Sequence, residues 1–387
     1  MSRVFKKKWT EQTVYEAAKD RISHIYDVFD RVVVSFSGGK DSTVCLQLTL
    51  EEARKRNRLP LEVVFYDEEA IHPETIEYVE RVRQNPDVKL YWYCLPFKHR
   101  NACSRSQPWW YCWDEQEKEK WVREMPSCAI TELHGFKKGM TIPDLNPLIN
   151  GEGRAYTAMI VGMRADESMR RYRIVMAKKH DNYIAEAINN VSIVKPIYDW
   201  TSPDVWVAPG EFGWDYNRTY DLMAMVGIPL PKQRVCPPFG EEPLRGLWLY
   251  AQCFPAMWHK MLKRVHGVAT AWRYANTDLY SFDVKKPENK TWREYLEIII
   301  LLYNKADQPV IRKIVNSLTR RHYNKSKLRL TEEVPDPITG TCWRELCMIA
   351  IRGDLKDRRG STIVIKSERT RKELGITYEE AIEKYGK

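Results

Sequence analysis

Long hydrophobic runs are scarce in this chain of 387 residues. The longest apolar run of note spans residues 298–302, whereas a helix needs about 20 apolar residues to cross a membrane. Residues 1–10 are basic and no apolar stretch follows them, so we expect no signal peptide. Internal repeats and low-complexity linkers are lacking too. With 43% hydrophobic residues, the chain is expected to be globular and to have no membrane partner.

Paired cysteines are also lacking. The chain has nine cysteines, an odd number, and none of them forms a Cys-x-x-Cys pair. This usage favours reduced thiols, and hence a cytoplasmic protein, over a disulfide framework. One stretch carries the residues that could supply zinc or iron–sulfur ligands: Cys94, His99, Cys103, Cys112, Cys128 and His134. Their long spacings favour buried, inert thiols over a metal site.

Acidic residues are outnumbered, 52 against 62 Lys and Arg, so the net charge is +10. The excess is local, because residues 312–372 contain 16 Lys and Arg and 7 Asp and Glu. Such a region attracts phosphates, whether those of DNA or those of a small substrate. A solvated surface that keeps the protein soluble accounts for the same charges. DNA binding through this basic C-terminal region therefore remains one of two alternatives.

One segment, residues 32–43, combines a buried strand, a glycine turn and the start of a helix. Gly38 and Gly39 allow backbone angles and close approaches that a side chain would block. A turn that opens a helix presents free N–H groups and a positive dipole end, which together favour an anion. Lys40 adds a charge, and neighbouring serines and threonines add hydroxyl donors. The spacing of a Walker A loop is absent.

The segment Ser37-Gly38-Gly39-Lys40-Asp41-Ser42 resembles the PP-loop of the ATP-pyrophosphatase and phosphoadenosine phosphosulfate (PAPS) reductase superfamily. The resemblance implies an adenine nucleotide, either ATP or an adenylyl sulfate (PAPS or APS), whose phosphates lie on this loop. It assigns catalytic roles to Lys40 and Asp41, the latter acting on the loop or on Mg²⁺. The implied nucleotide contacts are Ser35, Ser37, Gly38, Gly39, Lys40, Asp41 and Ser42. A glycine turn that only joins a strand to a helix is the alternative.

The order of strands and helices predicts the fold class. After the strand at residues 32–34, apolar segments at 61–66, 88–95, 155–162 and 191–196 predict further strands, with helices between them. This alternation predicts an α/β fold with a doubly wound, mostly parallel sheet, similar to the HUP or adenine nucleotide alpha hydrolase fold. We expect a nucleotide-binding domain over residues 1–230, with a Trp- and Cys-rich insertion at about 97–153. Residues 231–387 are expected to form a mainly helical, basic region.

Two further segments extend the resemblance to PAPS reductases. Residues 64–67, followed by His72-Pro-Glu-Thr-Ile, are similar to the second strand and helix of that family, which implies that Asp67 helps to hold the adenosine. This chain has Glu68-Glu69 where the family has Thr-Gly. A later segment, residues 162–171, matches the signature Gly-x-Arg…Glu-Ser-x-x-Arg. Its implied nucleotide contacts are Gly162, Arg164, Glu167, Ser168 and Arg171, since guanidinium groups bind phosphate or sulfate in two-pronged fashion.

The segment at residues 196–206, Pro-Ile-x-Asp-Trp-Thr-x-x-Asp-Val-Trp, is also typical of PAPS reductases. Thr201 or Ser202 is predicted to cap a helix with Pro203 in its first turn. We interpret Trp200 and Trp206 as core residues rather than site residues. Beyond residue 210 the chain is predicted to be mostly helical.

The C-terminal pattern, with Gly-Glu-Glu-Pro-Leu-Arg at residues 240–245, resembles the DUF3440 branch of the superfamily, which includes the immunoglobulin-binding regulator IbrA. A PAPS reductase needs a nucleophilic cysteine, which lies in a C-terminal Cys-Gly-x-His segment of that family, and this chain lacks that segment. Two functions therefore remain. The chain is either an enzyme that adenylates a substrate with release of pyrophosphate, or uses an adenylyl sulfate, or it is a nucleotide-binding regulatory subunit. The resemblance implies a ParB-like partner and DNA for the second.

Overall fold

The computed structural model divides into two compact units, Thr10–Ser281 and a unit built from Phe282–Lys387. The structure describes residues 10–104, 106–150, 153, 155–176, 181–230, 233–240, 247–274, 286–352 and 363–387. Part of the predicted DUF3440 pattern, residues 241–245, lies outside the described residues. The division at residue 230 stays a prediction, and the helices between residues 247 and 274 belong to the first unit.

A five-stranded sheet lies at the centre of the first unit. Its strands are β1 Arg31–Ser35, β2 Leu61–Tyr66, β3 Val88–Tyr93, β6 Thr157–Val161 and β7 Val191–Val194. They lie in the order β3-β2-β1-β6-β7, and every pairing in the sheet is parallel. Ser35 at the end of β1 pairs with Val64 of β2 and with Val161 of β6. The carboxyl ends of these strands therefore meet at one edge. The predicted α/β fold with a parallel sheet is confirmed.

The helices of the first unit lie before the first strand of the sheet, in the segments between the strands and after the last strand. They are α1 Val14–Val28, α2 Lys40–Lys55, α3 Pro73–Arg83, α4 Ile142–Leu145, α5 Met169–Met176, α6 Ser202–Phe212, α7 Thr219–Met225, α8 Leu247–Cys253, α9 Pro255–Arg264 and α10 Val268–Tyr274. Local sequence explains where several begin. Thr201 caps α6, where its side chain and that of Asp204 form a capping box, as predicted.

The core forms where the apolar faces of strands and helices meet. Val33, Val34 and Val63 are fully buried, which suits strands covered on both faces. Ile22 of α1 and Leu46 of α2 belong to the same core. Burying one such side chain stabilises the fold by about 1.5–3 kcal/mol.

Residues 97–153 interrupt the alternation of strands and helices. They include an antiparallel pair, β4 Lys98–Arg100 and β5 Trp109–Tyr111. The indole rings of Trp110 and Trp113 are buried in the main core. This stretch thus packs onto the sheet domain through aromatic side chains.

The second unit is helical in its described part: α11 Trp292–Leu301, α12 Gln308–Lys325, α13 Trp343–Arg352, α14 Lys366–Leu374 and α15 Tyr378–Tyr385. The predicted helical C-terminal region is confirmed. Ile314 and Leu318 line the buried face of α12, and its opposite face carries charge. Across the described ranges, no helix has both the length and the apolar character that a membrane span requires.

Candidate functional site

The predicted phosphate loop lies at the carboxyl end of β1 and runs directly into α2. Gly38 has a φ of +70°, and a Cβ placed on it would lie 2.7 Å from Cγ2 of Thr75, so both angle and space require glycine. Gly39 is the N-cap of α2 and offers no side chain to cap this end. Hydroxyl groups hold the turn: Ser42 Oγ donates to the carbonyl of Gly39 at 2.9 Å and lies 3.1 Å from Ser37 Oγ.

A second segment braces this loop from 180 residues further along the chain. The hydroxyl of Tyr220 accepts a hydrogen bond from the backbone N–H of Lys40 at 2.9 Å. Asn217 Nδ2 donates to the carbonyl of Gly38 at 2.8 Å. Tyr220 is buried, and burial raises the pKa of its hydroxyl. The hydroxyl therefore stays protonated and keeps a proton to donate beside the loop.

The ends of β6 and α2 approach each other closely at Gly162. A Cβ on Gly162 would lie 2.6 Å from the backbone carbon of Asp41, so only glycine fits there. Just beyond, Arg164 Nε donates to Asp41 Oδ1 at 2.5 Å, and Lys40 Nζ lies 3.2 Å from Asp41 Oδ2. The side chain of Arg164 is only 5% exposed. Lys40 and Arg164 thus both lie beside Asp41 in the first turn of α2, at the carboxyl edge of the sheet.

The rest of the predicted signature surrounds Arg164. Its Nη1 contacts both carboxylate oxygens of Asp166, at 2.7 and 2.9 Å. Glu167 forms an ion pair with Arg171, whose side chain is 37% exposed. Ser168 Oγ accepts a hydrogen bond from the backbone N–H of Arg171 at the start of α5. The two predicted phosphate-binding arginines therefore differ: Arg164 is locked by carboxylates, whereas Arg171 reaches solvent.

Asp67 lies at the carboxyl end of β2 but is fully buried. Its Oδ2 accepts hydrogen bonds from Trp92 Nε1 at 2.6 Å and from Arg123, and its Oδ1 accepts one from the N–H of Glu69. The indole N–H of Trp113 donates to the Asp67 carbonyl. Asp67 therefore organises the turn that follows β2, and its predicted contact with adenosine stays a prediction.

Glu69, two residues later, has a φ of +58°, the left-handed region in which glycine is favoured. Its carboxylate is fully buried and forms a two-pronged ion pair with Arg264, at 2.8 and 2.9 Å. The backbone N–H groups of Trp113 and Val122 donate to the same carboxylate. Glu69 thus replaces the glycine of the family pattern at a position with glycine geometry.

The cysteines show no sign of a metal centre in the described residues. All nine lie within the described residues and are thiols rather than disulfides, and no group of three or more His, Cys, Asp or Glu side chains among the described residues is placed to hold a metal ion. Burial raises the pKa of Cys103 to about 12. Cys236 differs from the others because it is exposed, and it follows Val235, which packs with Tyr220.

The structure thus brings together most of the predicted site residues at one sheet edge: Ser35, Ser37, Gly38, Gly39, Lys40, Asp41, Ser42, Gly162, Arg164, Glu167, Ser168 and Arg171. Sequence reasoning missed Asn217 and Tyr220. It also placed Trp206 in the core, whereas this ring is only partly buried and lies 5.9 Å from Lys40 Nζ. This edge, with first-turn N–H groups, hydroxyls and cations, is suited to bind a phosphorylated ligand.

Comparison with known proteins agrees with this geometry. Residues 31–222 match the model of the phosphoadenosine phosphosulfate reductase domain, and residues 227–334 match that of a domain of unknown function, DUF3440. The uncharacterized protein YbdN of Escherichia coli (strain K12) is 33% identical over 370 residues, which cover 88% of both chains. The chain belongs to the PAPS reductase-like family that carries DUF3440. The predicted site residues that meet at the sheet edge, together with Asn217 and Tyr220, lie within the first of these two matches.

Other similar proteins match less of this chain. The uncharacterized protein MJ0066 of Methanocaldococcus jannaschii is 30% identical over 194 residues, covering 49% of this chain and 33% of its own. Among solved structures, the FMN adenylyltransferase of Candida glabrata covers 56% of this chain at 13% identity and a TM-score of 0.35, and the match spans 62% of that chain. The PAPS reductase of Candida auris, in a phosphate complex, has 17% identity and a TM-score of 0.28, over 56% of this chain and 94% of its own.

Proposed function

We propose that the chain binds an adenine nucleotide with its phosphates on the loop at residues 37–42, and that it acts at the α-phosphate of ATP. In this reaction an acceptor attacks the α-phosphorus, the bond to the bridging oxygen breaks, and pyrophosphate leaves. Binding of an adenylyl sulfate, PAPS or APS, at the same loop is the other form of this proposal.

One observation carries the proposal: Lys40 and Arg164 converge on the first turn of α2, with Asp41 between them. First-turn N–H groups have no carbonyl partner inside the helix, so those beyond Lys40, whose N–H donates to Tyr220, are available to phosphate oxygens. In P-loop and related sites, fixed cations and N–H groups stabilise the charge that develops on a transferred phosphoryl group. Lys40 and Arg164 already neutralise Asp41, so Mg²⁺ would arrive with the nucleotide phosphates, and Asp41 is the loop carboxylate that would contact it.

Reduction of a sulfonucleotide is not proposed. That reaction needs a thiolate that attacks sulfur, and the C-terminal cysteine segment that supplies it in the family is missing here. Two cysteines that lie nearer the C-terminus, Cys342 and Cys347, are buried, and burial raises the pKa of Cys342 to about 11 and that of Cys347 to about 12.

A second candidate function is a nucleotide-dependent regulator that acts with a ParB-like partner on DNA. Helix α12 favours it, because Lys313 and Arg320 are exposed opposite its buried face and Lys325 is exposed at its C-terminal end. A row of cations along a helix binds phosphate backbones with little sequence preference. Specific targeting would then come from the partner.

Pyrophosphate release from ATP by the purified chain separates the two functions. We expect the wild type to bind ATP or PAPS in calorimetry and to release pyrophosphate when the acceptor is present. ATP binding without pyrophosphate release, across a panel of acceptors, favours the regulator. Absence of binding to ATP, PAPS and APS contradicts both forms of the nucleotide proposal.

A further inference from the structure

Helix α9 holds the turn that joins β2 to α3, residues 67–72, from both of its ends. At its C-terminal end, Arg264 forms the ion pair with Glu69 described above. At its N-terminal end, the ring of Phe254, the N-cap residue, packs edge-on against the ring of His72 at 4.8 Å between centroids. Glu69 and His72 are three residues apart in one turn, so α9 fixes both halves of it.

The Arg264–Glu69 pair is almost completely buried, so each of its two charges depends on the other for neutralisation. The side chains of Arg264 and Glu69 are 4% and 0% exposed. A buried charge whose partner is removed is strongly destabilising, because neither water nor another group neutralises it. Arg264 also donates to the carbonyl of Tyr111 at 2.5 Å, which ties β5 to the same point.

The turn is in contact with the phosphate loop through the first turn of α3. Thr75 packs against Gly38, and Asn217 Nδ2 donates to both Thr75 Oγ1 and the Gly38 carbonyl, at 2.8 Å each. A shift of residues 67–72 would move Pro73 and Thr75, and through them the positive-φ residue of the loop. A displacement of about 1 Å can lower a reaction rate about 100-fold, so the position of this turn matters for the site.

Arg264 lies outside the match to the PAPS reductase domain and inside the match to DUF3440. We propose that Arg264 is a positioning residue of the nucleotide site: with Glu69 it holds the turn after β2, so that the part of the DUF3440 match that lies in the first unit completes the nucleotide domain. The inference rests on the proposed function, since its readout is the affinity for a nucleotide.

The test compares Arg264→Leu, Glu69→Gly and the double variant in the full chain. Arg264→Leu strands the Glu69 carboxylate, so we expect a lower melting temperature and about a tenfold weaker affinity for MgATP or PAPS. The double variant leaves no buried charge unpaired, and glycine accepts the positive φ. We therefore expect its melting temperature to recover while its nucleotide affinity stays reduced, which a merely structural role would not produce.

Arg31→Leu is the matched control, because Arg31 forms a two-pronged ion pair with Glu62 at the opposite edge of the sheet. It should lower stability without a change in affinity. Recovery of wild-type affinity in the double variant overturns the inference and leaves the proposed function standing. A wild-type chain that binds no nucleotide contradicts the proposed function itself. If Arg264→Leu does not fold, the double variant decides the matter alone.

Discussion

Arg164 and Asp41 are 123 residues apart in the chain and form a hydrogen-bonded ion pair of 2.5 Å between Nε and Oδ1. The pair fastens the end of β6 to the first turn of α2, where Gly162 allows the two backbones to meet. Arg164 is almost fully buried and also binds Asp166. Its main role in the structure is therefore to fix the geometry of the loop, since its guanidinium group is already engaged by two carboxylates.

Lys40 and Asp41 are predicted to matter for nucleotide binding and little for folding. Lys40→Ala and Asp41→Asn should each weaken ATP or PAPS affinity by about tenfold or more, since each removes or unbalances a charge beside the phosphates. The fold should persist, because asparagine still offers an oxygen to Arg164 and the charge of Arg164 keeps its partner Asp166. Calorimetry measures the affinity, and Lys55→Ala, at the other end of α2, is the control. Unchanged affinity in both variants contradicts the phosphate-loop assignment.

The two signature arginines should respond differently to replacement by lysine. Arg164→Lys loses the planar fork that binds Asp41 and Asp166 together, so we expect lower nucleotide affinity and a loss of about 1.5–3 kcal/mol in the free energy of unfolding. Arg171→Lys, in a more exposed pair, should change stability by less than about 1 kcal/mol and still weaken binding.

Chemical denaturation and calorimetry on both variants provide the measurement. Equal stability losses in the two variants would contradict the distinction between Arg164, which is buried and holds the loop, and Arg171, which is partly exposed. Wild-type affinity in Arg171→Lys would leave Arg171 as a surface residue.

Local pattern was enough to predict the sheet and the loop. The strands were predictable because β-branched runs recur at α/β spacing, and the loop because its glycines, lysine and hydroxyls are contiguous. The contact between Gly162 and Asp41 then follows from the pairing of β1 with β6. These features depend on short stretches of chain and on one rule of parallel sheets.

Long-range partners were not predictable. Tyr220 and Asn217 reach the loop from about 180 residues away, and no local signal marks them as loop contacts. Asp67 matched the family pattern, yet the structure surrounds it with Trp92 and with Arg123 of the insertion. The positive φ of Glu69 explains the family glycine, but its partner Arg264 is 195 residues distant.

The stability of the first unit should depend on pH through His72. Burial lowers the pKa of His72 from 6.5 to about 3, and a hydrogen bond with the backbone of Val235 offsets part of this shift. Between these two values the unfolded chain binds a proton that the folded chain does not. The free energy of unfolding should therefore fall as the pH drops from about 6.5 towards 3, by at most about 1.4 kcal/mol per pH unit from this group.

His72→Gln removes this titration. Denaturant midpoints of wild type and variant, measured at several values between pH 7.5 and 4, should converge as the pH falls, because only the wild type loses the contribution. Carboxylates that titrate in this range act equally in both proteins and cancel. Parallel curves would show that His72 is not held neutral by the fold.

The last prediction concerns DNA and the basic residues at the end of α12. Arg320, Arg321, Lys325 and Lys327 lie within eight residues, and the loss of each phosphate contact should lower the salt dependence of binding by about one unit of slope. Changing all four to Ala should therefore flatten a plot of log affinity against log salt and should weaken binding to unrelated duplexes alike, since such contacts read no bases.

The matched control removes four exposed cations that are already paired with acids on their own helical turns, Lys118, Lys120, Arg369 and Lys372. It changes the net charge equally but should leave the slope almost unaltered, because these cations are neutralised locally. If the two four-residue variants flatten the salt dependence equally, DNA affinity depends on net charge alone and not on the basic residues at the end of α12. Absence of binding even at low salt would remove DNA as a direct ligand. These basic residues would then contact a protein partner or solvent.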